Sequence, residues 1–260
     1  MTINELWNTF PVEEKKVYRL QLGNLNLWIE RRNRDWLFAK EYDSLDEPTL
    51  PNFQIAEQEP SASLEWQRWA FEEEVTSIRF APCMPDRLLM VHTSTPTFLL
   101  PGVKTTFWLQ IPIFIAVSLG EKESFELEQV PSIRLSDSWL GDYFKGILCY
   151  GLQSRAFREN EKFELAPHNA VCPFSIENQD DSSLPIKFIC VAPKQLHLYG
   201  GHQFLWTNQV TVTLSGKDQE PQLQYSPNPP DAVEAPTLLR QAEQKRMSSS
   251  LWHALTKYVQ

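Results

Sequence analysis

Apolar and polar positions alternate with a period of two along most of this chain. From Val17 to Glu41, Val17, Arg19 and Gln21 alternate with Tyr18, Leu20 and Leu22. Leu25, Leu27 and Ile29 repeat the pattern, which predicts half-buried strands. Asn33, Arg34 and Asp35 read as a turn, and 36–40 returns as a further strand. The stretch 43–63 carries Pro48, Pro51 and Pro60 with several acids and reads as a loop or covering strap. From 64 to 223, strand-like runs recur at short intervals: 77–80, 87–92, 97–100, 104–110, 113–119, 125–128, 147–157, 171–177, 185–191, 195–199 and 209–214. Pro101-Gly102 and the polar run 178–183 supply turn chemistry between them. Many short strands without intervening helical patterns predict a mainly β chain, an antiparallel β-sandwich of immunoglobulin-like or jelly-roll-like type. No internal repeat of fixed period is present.

The pattern changes after Pro236. A Pro-rich loop over 226–236 precedes a stretch, 237–260, that reads as a short C-terminal helix capped by Thr237. Ser248, Ser249 and Ser250 interrupt it. Beyond them Leu251, Ala254, Leu255 and Tyr258 fall at helical spacing, with Trp252 and Val259 beside them. Leu251, Trp252, Leu255 and Val259 are therefore the residues expected to dock a protein partner, if the helix does not simply pack on its own domain. The expected organisation is an N-terminal hairpin segment and acidic strap (1–75), a main sandwich (76–235) and a terminal helix (236–260).

Composition narrows the function classes. The 260 residues carry a net charge of −9, which disfavours general binding to nucleic-acid phosphates. The compact basic cluster Arg31, Arg32 and Arg34 reads as a solvated hairpin tip. No segment approaches the ~20 apolar residues of a membrane span. The first ten residues lack the basic start and apolar stretch of a signal peptide, so a cytoplasmic location with reduced thiols is expected. Cys83, Cys149, Cys172 and Cys190 are widely spaced and read as buried apolar thiols rather than metal ligands. No metal or cofactor is expected.

Nucleotide-binding glycine loops, a G-x-S-x-G elbow and H-E-x-x-H are all missing. The densest chemistry lies in 131–143, Pro-Ser-Ile-Arg-Leu-Ser-Asp-Ser-Trp-Leu-Gly-Asp-Tyr. If it is extended, Ile133, Leu135 and Asp137 share one face and Arg134, Ser136 and Ser138 the other. Arg134 would then fork onto a carboxylate or phosphate with Ser136 adding a donor, Asp137 and Asp142 adding charge, and Trp139 and Tyr143 forming a stacking wall. The plain alternative is an internally paired turn. A small-molecule or carbohydrate enzyme would use Asp137 or Asp142 with His168. His168 on its own reads as structural, and His197 and His202 read as flanks of a hairpin turn at Gly200-Gly201.

Several short motifs occur in order: Pro82-Cys83-Met84-Pro85-Asp86-Arg87, Pro101-Gly102, the 131–141 stretch, Leu148-Cys149-Tyr150, Ala170-Val171-Cys172-Pro173, Asn178 and Leu205-Trp206-Thr207. Over about 77–214 the chain thus resembles the uncharacterised prokaryotic family known as domain of unknown function 432. The resemblance implies a cytosolic accessory to a small-conductance mechanosensitive channel, with that membrane channel as partner. It assigns no catalytic residue. The leading expectation is a non-enzymatic interaction or ligand-sensing domain.

Overall fold

The computed structural model describes residues 1–44, 49–120, 125–141, 144, 146–158, 164–215 and 222–243. The chain is mainly β; among the described residues a helical turn, α1 (Ile3–Leu6), lies ahead of the strands and a 3-10 turn spans Pro193–Gln195. The strands begin with β1 (Thr9–Pro11), β2 (Val17–Gly23), β3 (Leu25–Arg32), β4 (Asp35–Tyr42), β5 (Thr49–Ile55), β6 (Gln67–Ala70) and β7 (Ser77–Cys83). There follow β8 (Leu88–Leu99), β9 (Lys104–Pro112), β10 (Phe114–Leu119), β11 (Phe125–Pro131), β12 (Ser136–Leu140), β13 (Ile147–Arg158) and β14 (Asn169–Asn178). The last are β15 (Leu184–Val191), β16 (Leu198–Gly200), β17 (Leu205–Thr207), β18 (Val210–Leu214), β19 (Gln222–Tyr225) and β20 (Thr237–Arg240).

These strands build two compact units. Unit 1 takes 1–83, 112–134 and 166–168; unit 2 takes 84–111, 135–165 and 169–260. Each unit is thus drawn from discontinuous stretches of chain.

Unit 1 contains a sheet ordered β5-β2-β3-β4-β6 and a second ordered β1-β7-β10-β11, all antiparallel in the described pairings. The alternation read in β2 places Leu20 and Leu22 inside, with Leu25, Leu27 and Ile29 of β3, all without solvent exposure. Phe53 of the first sheet meets Phe10 and Phe80 of the second at centroid distances of 5.0 Å each. Burying each such side chain contributes about 1.5–3 kcal/mol. The strap expected over 43–63 is in part a strand. Phe53 anchors β5 to the core, and Pro51 is tolerated because β5 lies at a sheet edge, where a missing N–H disrupts no ladder. The basic cluster also divides. Asn33 turns the chain with φ 51°, but Arg31 is buried, bonding Val12 O at 2.8 Å and Glu74 at 2.7 Å.

Among the described residues unit 2 holds one eleven-stranded sheet, and it is mixed rather than purely antiparallel. β8 runs parallel to β13, and β14 runs parallel to β17 and β18. β8 lies between β13 and β15 and starts buried on both faces, at Leu88 and Leu89, whereas Phe98 near its end is exposed. One face carries the cluster of Leu88, Leu140, Cys149, Cys190 and Ala192. All four cysteines are free and buried, and burial pushes the Cys172 and Cys190 thiols up to about 12.

The helix expected from Thr237 begins instead as strand β20, paired antiparallel to β16. The exposed backbone edge of β16 offers hydrogen bonds that outweigh the moderate helical preference of Thr-Leu-Leu-Arg. Residues 244–260, including Leu251, Trp252, Leu255 and Val259, lie outside the described residues. No helix among the described residues is long and apolar enough to cross a membrane.

Candidate functional site

The 131–143 stretch is divided between the two units. Arg134 closes unit 1 and Leu135 opens unit 2. Within unit 1 the Arg134 guanidinium lies 5.6 Å from the Tyr42 ring centroid. The Tyr42 hydroxyl donates to Pro131 O at 3.1 Å, and burial pushes it up to about 12, with Glu128 adding to the rise and Arg134 opposing it. Strand geometry starts only at Ser136, so the face shared by Ile133, Leu135 and Asp137 does not form. Ser136 and Ser138 do share a face of β12 with Leu140, on the side of Cys149 and Gly151. A β-carbon on Gly151 would lie 3.3 Å from that of Ser138. Asp142 and Tyr143 lie outside the described residues.

The other face of β12 carries the chemistry. Asp137 stands opposite Tyr150 of β13, and Trp139 stands opposite Leu148. Arg87 Nη1 donates to Asp137 Oδ1 at 2.8 Å, and its Nε lies 3.9 Å from Asp86 Oδ2. The same guanidinium sits 5.1 Å from the Tyr150 ring centroid, while the Tyr150 hydroxyl donates to Asp86 Oδ1 at 2.9 Å. Asp86, Arg87, Asp137 and Tyr150 thus form a connected network that orients Asp137. Sequence reading missed Arg87 as a site residue because the contact spans fifty positions. Its only signal was its place in the motif Pro85-Asp86-Arg87.

Beside this network lies an apolar edge. Trp139 is 49% exposed, Leu148 is 42% exposed, and Phe144, on the connection between β12 and β13, is 91% exposed. Among the described residues β12 pairs with β13 alone, and no strand lies on its other edge.

Burial, then the hydrogen bond and charge of Asp86, push Tyr150 up to about 12. Its folded value therefore lies above the unfolded phenol value of about 10. The stability this contributes is whole below pH ~10 and is lost as pH rises towards about 12. In an alkaline absorbance titration, Tyr150→Phe should remove one late-ionising phenol. An unchanged late phase would contradict the network.

His168 lies buried in unit 1. It is 4% exposed, and its carbonyl accepts from Ile113 N at 3.0 Å and Ser132 Oγ at 3.3 Å. Asp137 belongs to unit 2 and His168 to unit 1. His197 uses Nδ1 to accept from Ala242 N at 3.2 Å. No group of three or more His, Cys, Asp or Glu among the described residues is placed to hold a metal ion.

The fold and its surface define a mainly β chain of two units with an exposed aromatic strand edge. The family model DUF432, described as a protein of unknown function, matches residues 6–257, and the chain belongs to that family. No curated protein and no solved structure matches it.

Proposed function

We propose that this chain is a non-enzymatic interaction module of the cytoplasm that binds an extended segment of a protein partner along β12. The observation that carries this reading is the edge of β12 that bears no strand among the described residues, flanked by exposed Trp139, Leu148 and Phe144. An added strand gains main-chain hydrogen bonds, and alternate side chains supply specificity. A tryptophan beside a charged network is the usual composition of an interface hot spot. Asp86 and Asp137 outnumber Arg87, so the fitting segment carries a cation beside its apolar residues. The two facing sheets of unit 1, in contact through Phe53, support a β-sandwich reading for that unit.

The partner implied by the family resemblance is a small-conductance mechanosensitive channel. The test is titration of the full chain against the cytoplasmic part of such a channel. Trp139→Ala should weaken binding at least tenfold, about 1.4 kcal/mol or more, with little change in melting temperature because the side chain is half exposed. Unchanged affinity in Trp139→Ala combined with Phe144→Ser would sink the β12 edge. Loss confined to a chain lacking 244–260 would move docking to the terminal segment. Absence of any channel binding would remove the channel as partner.

A further inference from the structure

The face of the first sheet of unit 1 opposite Leu20 and Leu22 holds an ordered arginine. Arg19 on β2 directs its Nε and Nη2 to Asn26 Oδ1 on β3, at 3.0 and 2.7 Å. Gln21 Nε2 reaches the same oxygen at 3.2 Å, and Asn26 Nδ2 donates to Asp43 Oδ2 at 2.8 Å. That network permits one orientation of the Asn26 amide, since its oxygen takes three donors and its nitrogen faces a carboxylate. Asn26 is 1% exposed and Trp28 4%. The Arg19 guanidinium lies 5.0 Å from the Trp28 ring centroid, and the indole N–H donates to Glu41 Oε1 at 2.9 Å.

Arg19 is therefore fixed in place by a neutral amide and an aromatic face. Its contrast with Arg31, Arg32 and Arg87 is direct, because each of those is paired with a carboxylate. One edge of the Arg19 fork, Nε with Nη2, is occupied. The end-on edge, Nη1 with Nη2, has the spacing of a carboxylate. Arg19 also lines a cleft of about 140 Å³ with Gln21, Gln54, Ala56, Glu57 and Gln58. That is well under the ~300 Å³ at which drug-sized pockets begin, so it fits a ligand of few atoms.

We infer that this cleft binds a small monocarboxylate bearing an ammonium group, with Arg19 holding the carboxylate and Glu57 the ammonium. The three glutamine amides complete a polar wall. The carboxylates of Glu57, Glu41 and Asp43 near the cation disfavour a dianion such as phosphate.

The test is a nuclear magnetic resonance titration of the full chain, following the Trp28 indole N–H, assigned from Trp28→Phe. Glycine should shift it saturably, with an affinity of about 1–10 mM. Acetate should bind more weakly and inorganic phosphate more weakly still. Arg19→Gln should lose at least tenfold of glycine binding with the remaining amide spectrum unchanged. Glu57→Gln, at an exposed position, should weaken glycine and leave acetate unaffected, and it keeps the test decisive if Arg19→Gln disturbs folding. A flat titration with glycine overturns the inference. So does phosphate binding at least as tightly as glycine, or a glycine response that survives both substitutions.

Discussion

Gly23→Ala is expected to destabilise unit 1 by about 2–5 kcal/mol, the sum of a left-handed backbone penalty and an overpacking term. Gly23 ends β2 with φ +64°, where only glycine sits without strain. A β-carbon there would meet Ser132 O at 2.5 Å, Ile133 Cγ2 at 3.0 Å and His168 Cγ at 3.1 Å. The clash cannot be relieved by a rotamer change, because its nearest partner is backbone. Ser132 O is itself held, accepting from Asn24 N and Leu25 N at 3.2 Å each. The expected fall in melting temperature is on the order of 10 °C. Gly102→Ala supplies the control. Its φ is +72°, but nothing lies within 4 Å of the added carbon. It should show the backbone term alone, about 1–2 kcal/mol. Equal melting temperatures for the two variants would mean that the close approach to Ser132 carries no energy.

Asn178→Ala should be the most damaging small change in unit 2, at about 2–4 kcal/mol. Asn178 has no solvent exposure. Its Nδ2 donates to Leu99 O and Ser182 O at 2.9 Å each, and its Oδ1 accepts from Asp180 N at 3.0 Å. Its backbone closes the 100–103 turn as well, through Gly102 N to Asn178 O at 2.7 Å and Asn178 N to Val103 O at 2.9 Å. Truncation leaves the Leu99 carbonyl buried without its donor and frees the 179–183 turn. Thermal melting and hydrogen exchange at the Asp180 amide report the two effects separately. Asn178→Asp retains the acceptor for Asp180 but not the donors, so it should preserve exchange protection at Asp180 while still lowering stability. Protection lost equally in both variants would count against the side-chain hub.

Much of the fold was legible residue by residue. The β2–β4 meander follows from Leu20, Leu22, Leu25, Leu27 and Ile29 against the Asn33 turn, since side-chain alternation and turn chemistry are properties of neighbours in the chain. β5 was hidden by Pro51, since a proline discourages a strand only where a ladder needs the lost N–H. β20 was hidden by helix-favouring residues, whose small preference gives way to an open strand edge at Tyr199. The parallel ladder of Leu88 with Cys149 was not legible, because nothing local in either segment names the other.

The candidate site shows the same division. Sequence alone picked out Asp137 and Trp139 by their density of chemistry, and the structure places both on the exposed face of β12. It also grouped Arg134 with them, whereas that side chain lies over Tyr42 in unit 1 and the cation that meets Asp137 is Arg87. Periodicity determined the strand content and the buried face of each early strand, because both depend on residues two apart. Tertiary structure alone decided which strands pair and which arginines are spent on carboxylates. Those outcomes depend on backbone and charge partners separated by tens of residues, such as Arg87 and Asp137, and a local pattern carries no record of them.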